Sequence, residues 1–415
     1  MTLLLDHIRQ EARLQVRLAL LSDLSLLAKP DTAHLWYRDN IEAMVAFCLQ
    51  EKSEESLCRS IGIVRDIVRV SSPDHVSVGR VLELCEHVAF SGHVQVAGHG
   101  VELLTVLATC GSDTSGDMMD MAVMAIENIC FVANSGHVQL VDIKRCLKCI
   151  LIICQHQQQL TGQFVDILGE MMNKCETRDA DTCHSVVTCL ASLGSTVPGS
   201  LSPLLPDITK LITRLSKSES SSTLVTLLTL LLQTLRGCSW PSSASQAWSL
   251  TSSRLDCWHR YRLARVATRY GHHGLAANLF TEIAQYAESD TVYSWLEGLA
   301  LVAGAENTLV MTTTMSLMER LTTSLDMFHR AMSSLRCATT TNLPLSFQLE
   351  FVKCRVAMVS VMSSIVTAAS SLSTSPPPAI AVAHAQQSRG ECQIFFYKMI
   401  VNIFLRQTSS SDVAE

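Results

Sequence analysis

The chain has 415 residues, of which 48% are hydrophobic and 17% charged, with a formal net charge of -6 and a sequence pI near 6.2. That balance excludes a chain disordered throughout, and it excludes a broad basic surface for nucleic acid. Aromatics are sparse at 5% while Leu, Val and Ala abound, which favours helices over sheets.

In chain order, Leu14, Leu18 and Leu21 form a first apolar stripe at helical spacing. Asp6 and Glu11 interrupt the start, so it does not read as a signal peptide. Ile41, Met44, Val45, Cys48 and Leu49 recur at i, i+3, i+4, i+7 and i+8, the buried face of a second helix. Ile63, Ile67 and Val70 make a third stripe, stopped by Ser71-Ser72-Pro73. The pentapeptide Ser91-Gly92-His93-Val94-Gln95 recurs as Ser135-Gly136-His137-Val138-Gln139, 44 residues further on. Helical stretches flank both copies (81–90 and 101–110, then 121–134 and 144–154). Helix, Ser-Gly turn and helix at this period match HEAT and armadillo arrays. Pro203 and Pro206 mark a later boundary.

The texture changes after Leu235, where Gly237-Cys238-Ser239-Trp240-Pro241 breaks the pattern. Beyond it, Leu263, Val266, Ala267 and Tyr270 face one way. Gly271-His272-His273-Gly274 turns the chain, and Leu275, Leu279, Ile283 and Tyr286 form a second stripe, a tetratricopeptide-like hairpin. Helices are predicted over 292–303, 312–332 and 347–371, with Trp295 and Phe351 in helix–helix cores. Pro376-Pro377-Pro378 favours a polyproline II connector. The fold expected is all-α, with these parts: 1–235 a HEAT/armadillo-like α-solenoid, 236–256 a linker, 257–375 a second helical-hairpin region, and 376–415 a connector and tail. No apolar run is expected to reach the ~20 residues that span a bilayer; the best candidates, 223–232 and 149–154, are too short and read as buried helices.

Candidate chemistry is thin. Cys146-Leu147-Lys148-Cys149 is a C-x-x-C followed by Cys154 and His156, but no second pair stands at zinc-finger spacing, and the motif lies in an apolar helical run. Cys183-His184 with Cys189 and Cys175, and the His272-His273 turn, are equally loose. Glu54 and Glu55 are adjacent and diverge on a helix. Arg260, Arg262, Arg265 and Arg269 read as a solvated helix face. No phosphate-binding loop, H-E-x-x-H or G-x-S-x-G occurs. No catalytic, cofactor-binding or metal residue is expected. The sixteen cysteines are scattered through apolar stretches and no Asn-x-Ser/Thr occurs, which suits a reducing intracellular compartment.

Three stretches carry a resemblance. The first is Leu343–Ala381, with its Ser-Pro-Pro-Pro-Ala-Ile-Ala string at 375–381. The second runs from Tyr261-Arg262-Leu263-Ala264-Arg265 through Gly271 to Tyr293-Ser294-Trp295-Leu296 and Ala305-Glu306. The third covers Leu24–Leu27, Trp36, Arg38, Asn40 and Ile41, then Gly98-His99-Gly100-Val101 with Leu104. Together they resemble the Integrator complex subunit 7 family. Members of that family are longer, and residues 382–415 look unlike its pattern. The resemblance implies a non-catalytic nuclear scaffold whose partners are other Integrator subunits and, indirectly, RNA polymerase II. Integrator processes small nuclear RNA 3′ ends and regulates transcription, and its endonuclease and phosphatase lie in other subunits. The resemblance implies no cofactor, no membrane and no small-molecule substrate, with direct nucleic-acid contact disfavoured. The alternatives are an independent helical-repeat adaptor in another intracellular assembly, and a metalloprotein using the C-x-x-C.

Overall fold

The computed structural model describes residues 2–26, 38–71, 75–109, 115–133, 138–174, 180–216, 221–252, 254–311, 315–340 and 344–374, with 386, 387 and 390. Among these residues every regular element is helical. They are α1 (Thr2–Gln10), α2 (Leu14–Ser25), α3 (Arg38–Gln50), α4 (Glu54–Ser71), α5 (His75–Ala89), α6 (Val94–Thr109), α7 (Ser115–Ala133), α8 (Leu140–His156), α9 (Thr161–Lys174), α10 (Ala180–Thr196), α11 (Leu205–Leu215) and α12 (Ser221–Thr234). Then follow α13 (Ser242–Ser252), α14 (Cys257–Arg269), α15 (His273–Ala284), α16 (Asp290–Val310), α17 (Leu317–Ala338) and α18 (Ser346–Thr374). The chain divides into two compact units, Met1–Thr234 and Leu235–Glu415.

The first unit is a two-layer helical array. Each even-numbered helix packs on its sequence neighbour and also on the next even-numbered one, from α2 through α4, α6, α8 and α10 to α12. That is the contact order of an α-solenoid, where each repeat touches only its neighbours. One bond or close approach joins each even pair. Arg59 reaches Ser22, Arg65 reaches Glu102, and Gly98 faces Asp142. Cys189 donates to the Leu147 carbonyl and Gln233 to the Ala191 carbonyl. α6 and α12 are buried on most sides, as their apolar composition requires. Gly100 is needed at one crossing: a Cβ there would stand 2.8 Å from the Ala89 backbone nitrogen.

In the second unit, α14 to α18 pack in series, each on its sequence neighbour. Asp256 caps α14, Ser289 caps α16, and Ser316 with Glu319 forms a capping box on α17. α14 ends with Gly271 at φ +84. The His272 N–H donates to the Ala267 carbonyl at 2.8 Å and the Gly271 N–H to that of Thr268, which is the Schellman arrangement. The core gathers Ala305, Leu321, Phe328, Leu335, Val352 and Val359. Arg355 of α18 grips Glu306 of α16 through two hydrogen bonds, of 2.6 and 2.5 Å, beside the Phe328 ring.

Several expectations need correction. Residues 236–256, read as a linker, hold α13. The Pro241 carbonyl accepts the Ser245 N–H, and Trp240 packs edge-on against Trp248 and His272. Phe351 is 45% exposed and outside the core, because Leu349, Val352, Val356 and Val359 turn the adjoining face of α18 to α17. Trp295 packs against that core but is only partly buried. Tyr286 and Leu14 are exposed. Ser346–Ser370 of α18 is, by length and composition, apolar enough to cross a membrane. Its charges, Glu350, Lys353 and Arg355, sit in its first third, and none follows from Val356 to Thr374. Ser135–His137, Pro73, Trp36, Cys175 and Pro376–Pro378 lie outside the described residues.

Candidate interaction surfaces

The thiols of the C-x-x-C are core groups. Cys146 and Cys149 stand one turn apart on α8, both buried, and burial pushes both thiols up, that of Cys149 to about 12. A thiol so far from its ordinary range gives almost no thiolate for nucleophilic work at neutral pH. Cys154, Cys183 and Cys189 are buried too, and the Cys189 thiol lies 3.6 Å from the Leu147 carbonyl. His184 meets the Thr223 hydroxyl at 3.2 Å. His272 Nδ1 accepts from Trp240 Nε1 at 3.3 Å, and burial holds His273 below its ordinary value. Glu54 and Glu55 are both exposed, and Glu54 lies 2.8 Å from His93. Among the described residues no three His, Cys, Asp or Glu gather as a metal site.

What the first unit does build is charge on its helical layers. On the even layer, Arg65 of α4 holds Glu102 of α6 at 2.5 Å and its own neighbour Asp66 at 2.8 Å. Asp142 of α8 is only 2% exposed and pairs with Arg145 at 2.9 Å. Burial raises the Asp142 carboxyl. His99 lies among these groups, and burial, with Arg145 and Arg65 nearby, drives it down to about 4 against the pull of Glu102. A groove of about 440 Å³ opens beside them, lined by Arg65, Arg69, Glu102, Thr105, Thr109, Lys148 and Ile152 among others. Glu102 is engaged by Arg65, so the groove presents net positive charge. On the odd layer a groove of about 410 Å³ between α7 and α9 is acidic, lined by Glu127, Asp166 and Glu170 with the exposed Phe131. Sequence reading missed both. The signal available was charge inside apolar helices returning roughly once per repeat, at Arg65, Glu102 and Asp142.

In the second unit, Arg262, Arg265 and Arg269 are exposed, as a solvated face should be, whereas Arg260 turns to Glu282 of α15 at 3.8 Å. The Trp295 indole N–H donates to the Tyr261 hydroxyl at 3.3 Å. The two ends of the second stretch that carried the resemblance therefore meet in space.

Residues 1–272 match the family described as Integrator complex subunit 7, N-terminal, and residues 273–403 match the Integrator complex subunit 7 helical bundle. The chain belongs to the Integrator complex subunit 7 family. Integrator complex subunit 7 of Bos taurus and of Homo sapiens are each 26% identical to it over 94% of this chain. That of Drosophila melanogaster is 24% identical over the same share. The chain spans 42% of the length of the cattle and human relatives. The helical-bundle match runs to residue 403, so the departure expected from residue 382 is overturned as far as that point. The two family segments meet in the turn after α14, whereas the compact units divide at Leu235. Among solved structures, a circular tandem repeat protein with novel repeat topology aligns over 95% of this chain and 92% of its own at 11% identity, with a TM-score of 0.27. The solenoid order is read from the helix packing itself.

Proposed function

We propose that this chain is a non-catalytic scaffold subunit of the nuclear Integrator complex, supporting small nuclear RNA 3′-end processing and regulation of transcription by RNA polymerase II. The observation that carries the reading is the family match across both segments, residues 1–272 and 273–403. The architecture suits it. Stacked repeats expose long continuous surface, and assembly subunits bury much of theirs against partners. The buried, protonated thiols and the inter-helix ion pairs serve packing, and the charged grooves on the two layers suit partner segments of opposite sign.

The test is affinity purification of the tagged chain from nuclear extract, with co-purifying proteins identified and quantified by mass spectrometry. Integrator subunits in stoichiometric amounts support the reading. Recovery of unrelated cytoplasmic partners in their place overturns it and moves the chain to the adaptor alternative.

A further inference from the structure

We propose that the outward face of α14 docks an acidic amphipathic helix of a partner protein. Trp258, Arg262, Arg265 and Arg269 recur at i, i+4, i+7 and i+11, so they share one face of α14, a row about 16 Å long. The opposite face carries Leu263, Ala264 and Ala267, which are buried, and α14 packs on α15. The row itself is open. All four side chains are exposed, Trp258 to 63%.

The row is held in place from beneath. The Trp258 ring stacks on Tyr261 with centroids 5.8 Å apart and planes 21° apart, which leaves its other face free. Arg265 lies 5.9 Å from the Tyr261 ring and Arg269 5.7 Å from the Tyr270 ring. Among the described residues no carboxylate stands within ion-pair distance of Arg262, Arg265 or Arg269. Glu282, the acid of the adjoining helix, is turned to Arg260 instead. Three like charges at i, i+3 and i+7 repel one another, so this face is electrostatically incomplete as it stands.

The complement follows from spacing and chemistry. Carboxylates at i, i+3 or i+4, and i+7 on a facing helix match the arginine row, and arginine takes carboxylates in two-point fashion. An apolar residue one turn beyond them meets Trp258. The antiparallel order of α14, α15 and α16 brings Tyr286, Val292 and Tyr293 to the same end, all exposed. That end offers apolar area to the partner's anchor, and tryptophan with arginine is the pairing that dominates interface energetics. A phosphate backbone fits less well, because exposed Glu288 and Asp290 stand at the aromatic end and the chain carries net negative charge.

This inference goes beyond Integrator membership, and its test does not depend on that membership. The full chain is titrated into a labelled synthetic helical peptide carrying Glu at i, i+3 and i+7 and a Leu anchor, and fluorescence anisotropy is read. The same peptide with Lys for Glu, and an oligouridine, are run in parallel. Binding of the acidic peptide that weakens with salt is expected, together with a loss of about tenfold or more in Arg262→Glu/Arg265→Glu/Arg269→Glu. That triple variant should gain affinity for the Lys peptide. Trp258→Ala should weaken the acidic peptide without changing its salt slope. Arg262→Gln/Arg265→Gln/Arg269→Gln, checked for unchanged circular dichroism, should reproduce the loss without added repulsion. Failure of the acidic peptide to bind, or equal binding of both peptides, or affinity untouched by either triple variant, overturns the proposal. Oligouridine bound in its place, and lost on charge reversal, reassigns the face to nucleic acid.

Discussion

His99 makes the first unit sensitive to acid, and the size of the effect follows from its surroundings. Its imidazole is mostly buried in α6, with Arg145 and Arg65 nearby, and titrates at about 4 rather than at its ordinary value of 6.5. The fold thus favours neutral imidazole. Between about pH 6.5 and pH 4 the unfolded chain binds more protons than the folded one, so stability falls as pH is lowered through that window, while above it the contribution is complete. At ~1.4 kcal/mol per pH unit, the loss between pH 7.5 and pH 5 comes to about 2 kcal/mol. Asp142, whose carboxyl burial raises, works in the opposite direction, so the comparison must be with a variant at the same site. His99→Gln removes the titrating group and leaves Asp142 and Arg145 in place. The assay is hydrogen exchange of the α6 amides at the two pH values, corrected for intrinsic exchange, which reads opening of this unit rather than of the whole chain. Native chain should lose about 2 kcal/mol more than His99→Gln on acidification. Parallel losses in the two proteins would refute the reasoning.

Other outcomes follow from packing. Phe328→Ala should cost the second unit about 3–5 kcal/mol in urea unfolding, and Phe351→Ala under about 1 kcal/mol; equal costs would show that the core is wrongly placed. Gly100→Ala should destabilise the α5–α6 crossing, because its Cβ meets Ala89 backbone, whereas Gly62→Ala, with open space around it, should gain about 0.5 kcal/mol or more. Thermal melts of the two variants moving in the same direction would contradict this. Thiol labelling at pH 8 with mass spectrometric readout should modify the exposed Cys238, Cys257 and Cys337 quickly and leave Cys146 and Cys149 protected. Fast labelling of the latter pair would restore the C-x-x-C as a candidate site.

Local chemistry is legible without coordinates, so the sequence alone determined the helices and many of their inward faces. Ile41, Met44, Val45 and Cys48 declare a buried stripe by spacing, Gly271 declares a turn because it takes a positive φ at no cost, and the apolar setting of Cys146 and Cys149 declares their burial. The quoted motifs declared the family. The tertiary structure alone decided which apolar face of a two-sided helix is covered. α18 carries apolar residues on several faces, so periodicity could not say that Val352 and Val359 would meet α17 while Phe351 stayed outside. It also decided which charges meet. Arg65 finds Glu102, Arg355 finds Glu306 and Trp295 finds Tyr261 only when helices distant in sequence are laid side by side. The arginines of α14 show the same division. Their common face is fixed by a helix of 3.6 residues per turn, but that Glu282 would go to Arg260 and leave the other three without an acid among the described residues depends on how α15 lies against α14.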